Sequence, residues 1–153
     1  MQKWQKHGLK TKTSTWTAGK NLPSITRKLS AAMIDYRFYN ANPVGNIEND
    51  CVCRAISRAT KLDYNLIKHK LELIADLFEC DELTACCYNH LLTNVFGLKQ
   101  RVATNLSVAD LGELFPEDVI LIRTDGHLTV VEYGVLYDIF DCRSEKADLF
   151  WIV

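Results

Sequence analysis

Long apolar runs are missing from this chain. The longest, "VILI" and "LFWIV", are far too short to cross a bilayer, so no membrane association is expected. The lysines near the N-terminus have no apolar stretch beside them, which argues against a secretory leader. Glycine is scarce: the seven glycines are scattered, and none belongs to a loop that would cradle a phosphate. No internal repeat or low-complexity tract occurs, and no isolated pair of carboxylates suggests glycoside hydrolysis. The six cysteines stand at 51, 53, 80, 86, 87 and 142, with one adjacent pair and one single-residue gap. That spacing is poor for a disulfide framework, and without an export signal they read as reduced thiols of a cytoplasmic protein.

Acidic residues are absent from positions 1–34, which carry seven of the eighteen basic residues. The rest of the chain therefore holds eleven basic against nineteen acidic residues, although the net charge is only −1. This divides the chain into a basic, Ser/Thr-rich extension (1–34) and a single domain (35–153). A solvated extension lying on the acidic body is the plain reading of the arm. Nucleic acid is not the expected partner, because no aromatic or glycine pattern of a nucleic-acid module accompanies the charge; an acidic protein partner is the alternative. With 48% hydrophobic residues, a chain of this size buries enough surface to need no staple.

Residues 24–40 are ambiguous between a short helix and a strand. "NANPVGNIEND" (40–50) reads as a loop that ends in a capping pair, Asn49-Asp50. Helices are expected over about 51–60, over 64–78 with Asp63 as cap, over 81–97 up to Gly97, and over 107–115 with Ser107 as cap. The character then changes. "DVILIRT", "HLTVVEY", "VLYDIFD" and "DLFWIV" are short β-branched and aromatic segments separated by Asp-Gly, Tyr-Gly and a polar loop. Helices followed by strands on tight turns predict an α+β fold, an antiparallel meander with the N-terminal helices packed on one face.

Cys51 occupies the first helical position after the expected cap, where the helix dipole and unpaired N–H groups favour a thiolate. It shares a stripe with the small residues Ala55 and Ala59, whereas Cys53 lies about 200° round the helix and reads as packing. Among the histidines, His7 lies in the basic arm, and His69 and His90 lie within helices. His127 opens a strand after Asp125-Gly126, at a sheet end where a base would meet a helix N-terminus. A two-residue turn at Tyr133-Gly134 puts Asp138 on the face of His127, one diagonal step away; a three-residue turn puts Asp141 opposite it. A second constellation, Cys80, Cys86, Cys87 and His90, offers zinc ligands, but at the spacing of no common zinc module; buried structural thiols are the simpler reading.

"NDCVCRAISRATKLDY" followed by "GHLTVVEYGVLYDIFD" resembles the papain-like cysteine peptidases. More narrowly, it is similar to small bacterial and phage proteins with an Asn-Asp-Cys helix start, a Gly-His strand and an acid-bearing hairpin. The resemblance covers residues 44–142 in order of elements. It implies a papain-like fold with Cys51 as nucleophile, His127 as base and Asp138 or Asp141 as the orienting acid. Many such enzymes have a glutamine shortly before the cysteine, and none occurs here between Gln5 and Gln100. Asn46 or Asn49 would have to supply that oxyanion donor. The expectation is a cysteine peptidase or isopeptidase acting on a protein or peptide, without metal or cofactor, in a cytoplasm (the host's, if phage-encoded). The alternative is an inactive relative that uses the basic arm to bind an acidic partner.

Overall fold

The computed structural model describes residues 34–153. The basic arm, with its expected partner, lies outside the described residues apart from Ile34. Six strands form one sheet: β1 (Asp35–Phe38), β2 (Gln100–Val102), β3 (Val119–Thr124), β4 (His127–Glu132), β5 (Val135–Asp138) and β6 (Leu149–Ile152). Their order is β1-β5-β4-β3-β6-β2. The chain is α+β, as expected, but the sheet is mixed: β1 runs parallel to β5, while the other pairs are antiparallel. The centre of the sheet is the expected hairpin pair β3–β4–β5. The β4–β5 turn has two residues, Tyr133 and Gly134, both with positive φ (52° and 72°). That is the left-handed pair a tight hairpin turn requires, and it sets Val130 opposite Tyr137 and Val131 opposite Leu136.

Four helices cover the sheet: α1 (Cys51–Thr60), α2 (Tyr64–Phe78), α3 (Ala85–His90) and α4 (Val108–Leu114). They do not all share one face. α1, α2 and α3 bury Ile56, Ile67, Leu71 and Cys87 against Leu121, Leu128, Val130 and Trp151. α4 buries Val108 and Leu111 against Ile120, Ile122, Val131 and Leu136, on the opposite face. The cause lies in β3, whose run Ile120-Leu121-Ile122 is fully buried on both sides. A strand that is apolar on both faces needs a layer over each. The third helix is shorter than its pattern suggests. Thr84 spends its N–H and its hydroxyl on the Asp81 carbonyl, so helix starts only at Ala85, and Leu91–Val95 continue it as a π turn.

Helix α1 is the element that positions the site. Seven of its ten residues are buried, among them Ala55, Ile56 and Ala59. Its C-terminal end is held by Glu132 of β4, which accepts from Arg58 Nε at 2.7 Å and also pairs with Lys61. The Arg58 guanidinium lies 3.9 Å from the centre of the Tyr137 ring and 4.8 Å from that of Tyr39, within cation–π range of both. Asp63 then caps α2, accepting from the N–H groups of Asn65 and Leu66. Ser107 and Asp110 form a reciprocal capping box at α4.

On the other face, Gly112 brings α4 close to the sheet. A Cβ there would stand 2.9 Å from Ile34 Cδ1 and Cγ2 and 3.1 Å from Val131 Cγ1. Gly112→Ala should therefore destabilise the protein. The overpacking costs roughly 1–3 kcal/mol and outweighs the better helix propensity of alanine, about 1 kcal/mol. Urea titration should show a lower midpoint, with part of the loss recovered by adding Ile34→Val.

Candidate active site

The site begins with an aspartate that does not do what its position suggests. Asp50 sits at the N-cap of α1, yet its side chain makes no capping hydrogen bond. Its carboxylate is drawn elsewhere. Tyr64 Oη donates to Oδ2 at 2.6 Å, Asn42 Nδ2 donates at 3.1 Å, and Arg54 forms an ion pair with it. Asp50, Arg54 and Asn42 are all buried. The capping role expected of Asn49-Asp50 is thus corrected: the first turn of α1 is left without a side-chain acceptor. Its N–H groups stay available to an anion, either the Cys51 thiolate or a developing oxyanion.

The imidazole and its acid form on β4 and β5. Leu128 and Val130 point toward α1, so by alternation His127 and Thr129 lie on the α4 side of β4, where Val131 also points. The 130↔137 register puts Asp138 on that same face. Asp138 Oδ2 accepts from His127 Nε2 at 2.7 Å and from Thr129 Oγ1 at 2.5 Å. The Ile139 N–H donates to Oδ1 at 2.7 Å, and Cys142 Sγ lies 4.0 Å from Oδ2. Phe140 packs on the imidazole with ring centres 4.8 Å apart. Asp141 takes no part: its oxygens accept from Arg143 at 2.9 and 2.8 Å, and it is exposed. Of the two candidate acids, the two-residue turn selects Asp138.

Cys51 comes from the other layer. The two halves meet at the end of the sheet, around Asp125-Gly126, in a cavity of about 420 Å³ lined by Cys51, Leu83, Tyr88, Arg123, Gly126 and His127, among others. Burial by itself raises the Cys51 thiol pKa, but the hydrogen bond with His127 and one from the Leu128 backbone outweigh it and leave the thiol below its usual value. Burial likewise lowers His127, yet its hydrogen bonds with Asp138, Cys142 and Cys51 carry it up to about 11. Both shifts favour a thiolate–imidazolium pair. Cys53 behaves differently: burial pushes its pKa up to about 12, and it is part of the core, as its position on the helix implied.

Neither Asn46 nor Asn49 lines the cavity. Both are exposed, and Asn46 Nδ2 donates to Glu48 Oε1 at 2.8 Å. No three of the candidate zinc residues bring ligand atoms together among the described residues. His90 Nδ1 meets Asn94 at 2.9 Å and its ring packs against Phe78, whereas Cys80 and Cys87 face each other. Among the described residues, one group brings three ligand atoms within 4.8 Å of one another: His127, Asp138 and Cys142. A tetrahedral zinc at about 2.0–2.3 Å from each donor holds those donors roughly 3.3 Å apart. The 2.7 Å His127–Asp138 contact is the length of a hydrogen bond and too short for that. Thr129 and Cys142 were not singled out in the sequence. Thr129 had a signal, since it lies two residues beyond His127 on the same strand face.

No protein-family model, curated protein or solved structure matches this chain.

Because the reactive form is the deprotonated one, a lowered thiol pKa shifts the rise in reactivity to lower pH. Alkylation of Cys51 should therefore rise and level off at lower pH than that of an ordinary thiol. His127→Ala should move that rise upward, which the ultraviolet absorbance of the thiolate, followed against pH, would report directly.

Proposed function

We propose that this chain is a papain-like cysteine hydrolase, a peptidase or isopeptidase acting on an amide or thioester carbonyl of a protein or peptide. The observation that carries the reading is the hydrogen bond between His127 Nε2 and Asp138 Oδ2 beside a cavity that His127 shares with Cys51, whose thiol pKa the imidazole helps to lower. Since Nε2 is committed to Asp138, Nδ1 is the nitrogen left to serve the thiol. The papain-like assignment is supported by the order of elements: nucleophile at a helix start, further helices, then base and acid on adjacent antiparallel strands.

In this reading the Cys51 thiolate attacks the carbonyl carbon, and the first-turn N–H groups of α1 hold the oxyanion. The His127 imidazolium gives its proton to the departing amine or thiol, leaving an acyl group on Cys51. His127 then takes a proton from water, the resulting hydroxide attacks the thioester, and the acid product leaves with Cys51 restored. Asp138 stabilises the imidazolium throughout, while Thr129 fixes the carboxylate. The setting would be cytoplasmic, the host's if the protein is phage-encoded. No metal or organic cofactor enters these steps.

A second reading is a non-catalytic binding protein of the same fold that grips an acidic partner through residues 1–34. It is favoured by one observation, that neither Asn46 nor Asn49 lines the cavity to supply the family's side-chain oxyanion donor.

A thiol-directed electrophile separates the two. The hydrolase should be labelled at Cys51 ahead of the other five cysteines near neutral pH. His127→Ala should slow turnover of a peptide or thioester substrate by about 10²–10⁴-fold, and Asp138→Asn should slow it too. Uniform slow labelling, unchanged by His127→Ala, would sink the hydrolase. The binding reading instead predicts that deleting residues 1–20 abolishes retention on immobilised polyglutamate.

A further inference from the structure

Two thiols that the hydrolase does not use lie closer together than any other pair described. Cys80 follows the C-cap of α2, and Cys87 is buried in α3. Their sulfurs are 2.9 Å apart, inside ordinary non-bonded contact and a short step from the roughly 2.05 Å of a disulfide. Only six residues separate them, and this connection includes Leu83, Thr84 and Ala85, which line the cavity shared by Cys51 and His127. The third cysteine of the segment, Cys86, is exposed.

We propose that Cys80 and Cys87 are a reversible disulfide site that clamps the α2–α3 wall of the cavity. Its effect on catalysis rests on the hydrolase reading, but its formation does not. Cys80 is the entry point, since it opens onto a surface depression lined by Glu72, Asp76, Asp81 and Glu82. Four carboxylates there repel an anionic oxidant and favour a neutral or cationic organic disulfide. The Cys80 thiolate attacks one sulfur of that disulfide, forms a mixed disulfide and expels the first organic thiolate, which takes a proton. The Cys87 thiolate then attacks the Cys80 sulfur. The second organic thiolate leaves and is protonated, so the protein pair loses two electrons and the organic disulfide gains them. An added thiol reverses both steps.

The test uses the full chain carrying Cys51→Ser and Cys86→Ser, which retains four of the six cysteines. After treatment with cystamine, a cationic disulfide, thiols counted in denaturant should fall from four to two. Unreduced peptide maps should join residue 80 to residue 87, with slower amide exchange over residues 83–85 that dithiothreitol reverses. Adding Cys87→Ser should abolish the link. Four remaining thiols, stable cystamine adducts at Cys80 without a link, or a Cys80–Cys86 link in the chain that retains Cys86, would each overturn the site. Failure of the hydrolase reading is distinguishable, because it would appear as an unreactive Cys51 in the reduced chain while the mapped link stands.

Discussion

The candidate site depends on one constraint: α1 must lie across β4 with its first turn at the end of the sheet. Small residues make the approach close, and buried charge fixes both ends of the helix. At its C-terminal end Glu132 collects Arg58 and Lys61, and Arg58 is held between two tyrosine rings. At its N-terminal end Asp50 is held by Tyr64, Asn42 and Arg54. The Asp50–Arg54 pair is buried, Arg58 is half-buried and Lys61 is exposed. Such pairs contribute little net stability, because desolvation or solvent screening offsets most of the attraction. What they supply here is placement. They also keep a carboxylate one residue from Cys51 without letting it cap the helix, so the helix dipole still acts on the thiol.

The acid half of the site follows a different logic, that of strand parity. A left-handed two-residue turn at Tyr133-Gly134 fixes which residues of β4 and β5 share a face. His127, Thr129 and Asp138 follow from that turn alone. A three-residue turn would have moved Asp138 to the other face and set Asp141 opposite the imidazole instead.

Much of this could be read from local pattern. Helices α1 and α2 were legible from Cys51, Asp63 and the spacing of Ile67, Leu71 and Ile74; α4 was legible from Ser107. These signals lie within a few residues of the structure they specify. The parity argument narrowed the acid to Asp138 or Asp141 but needed the turn length to decide. What escaped was non-local. β1 pairs in parallel with a strand a hundred residues away, and β2 has three exposed residues and little apolar signature. The second layer over the sheet was implied by the unbroken Ile120-Leu121-Ile122 run, yet nothing in α4 itself says which face it takes. The Asp50 side chain could not be read locally, because its partners, Tyr64 and Asn42, come from separate segments that only the fold assembles.

The chain order of the site has a consequence for how the protein is made. Cys51 precedes His127 by 76 positions and Asp138 by 87. At roughly 5–20 residues per second, a ribosome adds the histidine about 4–15 s after the cysteine. Throughout that interval the thiol has neither base nor sheet beneath it and keeps the acidity of any free cysteine. Closing the β4–β5 hairpin brings His127 and Asp138 together, so the Cys51 thiol acquires its lowered pKa only when most of the domain has left the ribosome.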